Sequence, residues 1–183
     1  MKKIILTVAA VFALSFANAQ DKKESSGSQT SKGKWLIEAN TGFGTIASAN
    51  TGLSYSSQGD LKKMSIGAEG GYFIMDNLAI KLGLGYNSSD DGTGNVGGFA
   101  YKIGAKYYIM GNIPVQVDYT GASGDVYKVG SETPSYLGLQ AGYAVFLGEN
   151  VSIEPGIRYN STMNKDAAAD SALQLCVGFA LHF

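Results

Sequence analysis

One cysteine, one histidine and a formal charge of −1 set the first limits on this chain. The single thiol, Cys176, excludes a disulfide within the chain, so stability has to come from elsewhere. The single imidazole, His182, leaves one residue for histidine-based acid–base chemistry, and it stands next to last. A near-neutral charge argues against a nucleic-acid partner. Beyond the first twenty residues no apolar run is long enough for a membrane-spanning helix. No segment has a convincing 3.6-residue period, and 25 glycines scattered along the chain disfavour long helices.

What is present begins at the N-terminus. MKKIILTVAAVFALSFANAQ has Lys2 and Lys3, then an apolar run from Ile4 to Phe16, then Ala17-Asn18-Ala19. This order reads as a secretory signal peptide over residues 1–19, cleaved before Gln20. No cysteine follows the cleavage region, so N-terminal lipidation is not indicated. Residues 20–34, QDKKESSGSQTSKGK, contain no apolar side chain and read as a disordered leader. Residues 35–183 then suffice for one domain.

That domain alternates. Large apolar residues recur at every second position in WLIEANTGF (35–43), KMSIGAEGGYFIM (63–75), LAIKLGLGY (78–86), FAYKIGAKYYI (99–109), IPVQVDY (113–119), YLGLQAGYAVFL (136–147), VSIEPGIRY (151–159) and LQLCVGFALHF (173–183). Eight such segments predict eight half-apolar strands. Tight turns are expected at Met75–Asn77, Met110–Asn112 and Gly148–Asn150. Longer polar connections are expected at 44–60, 88–95, 121–134 and 161–171. Three short turns and both termini at one end, with four long loops at the other, describe an antiparallel up-and-down barrel.

The second face of each strand decides which side is inside. It carries Gly42, Gly67, Gly71, Gly83, Gly85, Gly104, Gly138, Gly142, Gly156 and Gly178. The same face carries Glu38, Lys63, Glu69, Lys81, Lys102, Lys106, Asp118, Gln140, Glu154 and Arg158. Glycine has no reason to collect on a solvent-facing strand, whereas a narrow barrel needs small residues beside large ones. Small residues with balanced charges therefore predict a packed polar lumen, and the apolar face must look outward. That outer face has aromatics at both strand ends: Trp35, Tyr107, Tyr143 and Phe183 by the short turns, Phe43, Tyr86, Tyr119 and Tyr159 by the loops. Two aromatic girdles around an aliphatic band match a lipid-facing barrel wall.

With its signal peptide, eight alternating strands, short turns opposite long loops and terminal Phe183, the chain resembles the small OmpA/OmpX-type outer-membrane β-barrels over residues 35–183. The resemblance implies an all-β, eight-stranded transmembrane barrel in the cell outer membrane, with a periplasmic leader and four extracellular loops. It implies outer-membrane lipids and lipopolysaccharide as surroundings. It also implies that the barrel-assembly machinery reads LQLCVGFALHF during biogenesis.

The remaining motifs carry little chemistry. His182 falls on the lumen face at the short-turn mouth, away from where barrel enzymes act on lipid, so it reads as a rim residue and not as a triad member. Cys176 reads as a small lumen-packing residue. Ser89–Asn95, SDDGTGN, lacks the ligand spacing of a calcium loop and reads as a solvated hairpin. Gly83 and Gly85 lie inside a strand, so no phosphate loop is implied. The loops are net acidic, with Asp60, Asp90, Asp91, Asp125, Glu132, Asp166 and Asp170 against Lys128 and Lys165. Divalent bridging to lipopolysaccharide is one reading of them and simple solubility the other. No catalytic, cofactor-binding or metal-ligating residue is assigned. The expectation is a non-enzymatic barrel with a structural, adhesive or envelope-integrity role, a closed polar lumen and an extracellular partner at its loops. The alternatives are a narrow porin-like channel and, behind that, a lipid A-modifying enzyme. Within the lumen, Lys106 with Asp118 is the expected ion pair.

Overall fold

The computed structural model describes residues 29–41, 51–167 and 170–183. The expected signal peptide, the first part of the expected leader, Gly42 and Phe43 lie outside the described residues. Ten strands follow one another: β1 (Trp35–Thr41), β2 (Gly52–Gln58), β3 (Leu61–Met75), β4 (Leu78–Asp90), β5 (Asn95–Ile109), β6 (Ile113–Gly124), β7 (Ser135–Gly142), β8 (Val145–Phe146), β9 (Val151–Thr162) and β10 (Ala172–His182). All pairings are antiparallel.

Eight of these tracks form a closed wall. The sheet runs β1-β10-β9-β7-β6-β5-β4-β3, and β3 pairs back onto β1. The short β8 continues the track of β7 along β9 in an unchanged register. From Ala172, lateral pairs lead through Asn160, Gly138, Asp118, Gly104, Lys81, Gly71 and Leu36 back to β10 at His182. The circuit returns ten residues further along the strand it left. Eight strands with that stagger tilt by about 40° and form a backbone cylinder of about 8 Å radius. A tube that narrow is filled by its own side chains.

β2 was not expected. Residues 44–60 read as a polar loop, yet Gly52–Gln58 pairs with the upper half of β3, from Gly52↔Gly67 to Gln58↔Leu61. The physical reason is that GLSYSSQ continues the alternation with only two large apolar residues, Leu53 and Tyr55, too few to stand out in sequence. β2 takes up the edge of β3 that β1 leaves after Ile37↔Gly70. At that handover the Thr51 hydroxyl accepts the Glu69 N–H at 2.7 Å, replacing a ladder bond. Strands β4 and β5 also run further than expected, to Asp90↔Asn95, so the 88–95 connection shrinks to a turn at 91–94. Lys63, expected in the lumen, lies on this upper hairpin opposite Ser56 and is exposed.

The apolar faces point outward. Leu82, Leu84, Ile103, Leu139 and Leu175 are each more than half exposed, while Glu38, Lys81, Lys106 and His182 on the other face are fully buried. This inverts the partition of a water-soluble domain, which rarely exposes a continuous apolar surface. On β5 the outward series Phe99, Tyr101, Ile103, Ala105, Tyr107 and Ile109 covers about 25 Å along the axis, the height of the apolar band of an outer-membrane barrel. Aromatic pairs mark its limits: Trp35 with Tyr72 at 5.0 Å at the short-turn end, and Tyr86 with Phe99 at 5.0 Å at the other. The wall is that of a transmembrane β-barrel.

Leu82 lies near mid-height and outward. Leu82→Arg is expected to destabilise the barrel in lipid by about 2–4 kcal/mol. Denaturant unfolding in vesicles checks this, and wild-type stability for the variant would mean that the face is misassigned.

Candidate functional site

The lumen holds the chain's concentrated chemistry. Among the described residues, Glu38, Glu69, Asp118 and Glu154 face Lys81, Lys102, Lys106 and Arg158 there, so four acids meet four bases. Each comes from the inward face of a strand. Lys81 Nζ contacts Glu38 Oε2 at 2.8 Å and Glu69 Oε1 at 2.7 Å, and donates to Gln116 Oε1 at 2.8 Å. The ammonium is hydrogen-bonded to Glu38 and Gln116 and ion-paired with Glu69, so it lies between two carboxylates and an amide. Lys102 meets the other oxygen of Glu69 at 3.1 Å. Lys106 meets Glu38 Oε2 at 2.8 Å and pairs closely with Glu154. Arg158 grips Asp118 with both terminal nitrogens, Nη2–Oδ1 at 2.5 Å and Nη1–Oδ2 at 2.7 Å.

The expected Lys106–Asp118 pair is therefore replaced. Register explains it: Asp118 stands opposite Gly104, and Lys106 opposite Gln116. Gln116 donates to Asp118 Oδ2 at 2.6 Å and accepts from Lys81, so it bridges the two groups of charges. Asp118 sits between Gly104 on β5 and Gly138 on β7. A methyl group at 138 would lie 2.0 Å from Arg158 Nη2, and one at 104 would lie 2.5 Å from Asp118 Cβ. These two glycines make room for the bidentate pair.

Below the charges, at the short-turn end, the lumen is apolar. Leu36, Phe73, Ala79, Tyr108, Ala144 and Ala180 form a buried floor, with Phe146 packed against it. His182 lies in this floor, its ring centre 6.2 Å from Phe73 and 5.7 Å from Phe146. Sequence parity placed Leu36, Phe73 and Tyr108 on the inward face, but reading that face as polar passed over them.

His182 also has a partner that sequence did not suggest. Its Nε2 lies 3.0 Å from Ser152 Oγ, and that hydroxyl donates to Glu154 Oε1 at 3.0 Å. The three residue types are those of a hydrolase triad, but the order is wrong. In a triad the carboxylate orients the far nitrogen of the imidazole, leaving the near one to take the serine proton. Here the carboxylate holds the serine, which has one proton to give. The ring then donates from Nε2, and the group acts as a hydrogen-bonded strut. Glu154 further accepts from Tyr108 Oη at 2.8 Å and takes Lys106. Polar contacts thus run from His182 through Glu154, Lys106, Glu38, Lys81 and Gln116 to Asp118, Arg158, Asn160 and Gln174. Cys176 is buried on the lumen side, as expected.

At the loop end, Tyr127 folds inward against Ala100 and Ala122 and pairs with Asn87. The Asp90–Asn95 tip is a compact turn: Asp91 Oδ1 accepts from Thr93 N at 3.0 Å, Thr93 Oγ1 at 2.7 Å and Gly94 N at 3.1 Å. Those donors, led by the Thr93 hydroxyl, hold the Asp91 carboxyl below its ordinary pKa. Among the described residues no group of three or more His, Cys, Asp or Glu side chains is arranged to hold a metal ion.

Comparison with known proteins adds outline only. No family model and no curated protein matches the chain. Among solved structures it is similar to the N-terminal β-barrel domain of Pseudomonas aeruginosa OprF, with 15% identity, 83% of this chain and 98% of the other covered, and a TM-score of 0.45. It is similar to the Yersinia pestis outer membrane protein Ail in a phospholipid nanodisc, with 12% identity, 83% and 100% covered, and a TM-score of 0.47. A designed transmembrane β-barrel gives 12% identity, 85% and 99% covered, and 0.46.

Removing one member of the buried pair leaves its partner uncompensated. Asp118→Ala is expected to cost about 3–5 kcal/mol, whereas Asp118→Leu with Arg158→Met recovers most of it. Unfolding midpoints of the two variants in one detergent check this. A silent Asp118→Ala would show that the pair contributes nothing to stability.

Proposed function

We propose that the protein is a non-enzymatic outer-membrane barrel whose role is interaction at the cell surface. The observation that carries this is the part of the sheet that rises past the loop-end aromatics. There β2, β3, β4 and β5 continue as a four-stranded sheet, from Tyr86 and Phe99 to the tips at Gly59–Asp60 and Asp91–Gly94. Tyr55 pairs across to Met64 on its outer face, and Leu53 and Tyr55 are 77% and 67% exposed. Among the described strands, the second edge of β2 has no partner. An open edge carries a row of backbone donors and acceptors that can take an extended segment of another chain as one more strand.

The filled lumen supports the same reading over a channel. A neutral, interconnected set of ion pairs leaves no mobile charge to line a conduction path, and a charge freed in so narrow a space carries a large desolvation cost. The Ser152-bound His182, wrapped in Phe73, Tyr108 and Phe146, supports a non-catalytic assignment. Outer-membrane lipids are the surroundings proposed for the aliphatic band, lipopolysaccharide for the loop-end girdle, and the barrel-assembly machinery for β10 during insertion.

Two measurements test this. An epitope tag at Gly130 is expected to be detected on intact cells, and detection only after permeabilisation would reverse the orientation. Leu53→Ser with Tyr55→Ser is expected to leave barrel folding intact, read by heat-modifiable electrophoretic mobility, while lowering adhesion of the producing cells. Unchanged adhesion together with a porin-sized conductance of the purified wild type would replace this reading with a channel.

A further inference from the structure

The six residues before β1 fall inside the expected disordered leader, but the first two are seated in the barrel mouth and the rest are tied to its rim. Gln29 and Thr30 are fully buried. Gln29 Nε2 donates to the Gly148 carbonyl in the β8–β9 turn. Thr30 Oγ1 donates to Asn77 Oδ1 at 2.5 Å in the β3–β4 turn, and the Asn77 N–H donates back to the Thr30 carbonyl at 2.7 Å. Lys32 N–H donates to Asp76 Oδ1 at 2.9 Å in that same turn, and Gly33 N–H to the Phe73 carbonyl at 2.8 Å.

The positions of these two turns matter. Around the closed wall, the β3–β4 seam and the β7–β9 seam, which β8 continues, are four seams apart in a ring of eight, so they face each other across the mouth. Gln29 and Thr30 reach opposite walls. The apolar floor adjoins the same turns: the His182 backbone N–H donates to the Asn150 carbonyl at 2.8 Å in the turn that holds Gln29, and Phe73, which accepts from Gly33, stacks on the imidazole. A polar tail with no reason to enter an apolar cavity would stay in water. This one enters because the turns offer it side-chain and backbone partners, among them Asn77, whose positive φ of 67° is a conformation that Asn tolerates more readily than most residues.

We propose that residues 29–33 form a strap that closes the short-turn mouth of the barrel. The lumen is then sealed at that end by the protein's own N-terminal segment, and His182 meets solvent only when the strap lifts. This goes beyond the surface-interaction reading and does not depend on it.

His182 is the only histidine, so its carbethoxylation by diethyl pyrocarbonate reports on the mouth without a engineered label, provided that no histidine tag is used. The test compares the full chain with Gln29→Asp/Thr30→Asp in lipid nanodiscs, after confirming barrel folding by heat-modifiable mobility. Two charges placed in the buried strap should expel it, and the His182 reaction should accelerate by about tenfold or more. Amide exchange of the wild type is an independent reading. The Asn77 N–H, held by the strap alone, should exchange at least about tenfold more slowly than an unstructured amide. Equal His182 rates in the two folded proteins overturn the proposal, as does unprotected exchange at Asn77 in the wild type.

Discussion

A sheet surrounded by hydrocarbon cannot keep an open edge, because each unpaired backbone group there costs several kcal/mol. The short strand β1 meets that requirement. It pairs with β10 from Leu36 to Thr41 on one side and with β3 from Trp35 to Ile37 on the other. Closure at this stagger sets the width of the tube. The width in turn decides which residues can point inward, and so what the interior chemistry can be.

The interior has two fillings, and they solve different problems. Near the short turns, Leu36, Phe73 and Tyr108 occupy the lumen as a conventional apolar core. Higher up, the strands carry charges whose desolvation is offset only by mutual contact. That offset depends on geometry at single positions. Lys81 has Glu38, Glu69 and Gln116 oxygens within 2.8 Å, and Arg158 reaches Asp118 only because residue 138 has no side chain. Such a network adds little net stability over an apolar filling, but it penalises any register other than the native one, since a slip separates every pair at once.

The wall was legible in sequence because period-two alternation is a local property repeated eight times. The inward face of Glu38, Lys81, Lys106, Asp118 and Arg158, and the outward face of Leu82 and Ile103, follow from parity alone. Pairing was not legible, because it depends on register between strands. Lys106 and Asp118 sit on adjacent strands at similar height, yet an offset of two residues sends Lys106 to Glu38 and Glu154. The Ser152–His182 contact joins residues thirty positions apart that no motif connects. Two further features were hidden by composition. The weak alternation of GLSYSSQ reads as loop, and Gln29-Thr30 reads as leader, because neither carries the apolar signal that marks a strand or a core. Both are held by backbone and amide hydrogen bonds, which leave no hydropathy trace.

The handover on β3 has an evolutionary side. Gly52 stands opposite Gly67, the place that the register of β1 would have given to Asn40. β1 and β2 share that edge of β3, one below the other, in two different registers. Within any strand, inserting one residue turns every later side chain to the wrong face. β2 pairs with β3 in a register of its own, so its faces are set by β3 and not by the register of β1. Two registers set separately on one strand do not have to stay in step, so the upper sheet can change its inherited sequence without rewriting the barrel below it.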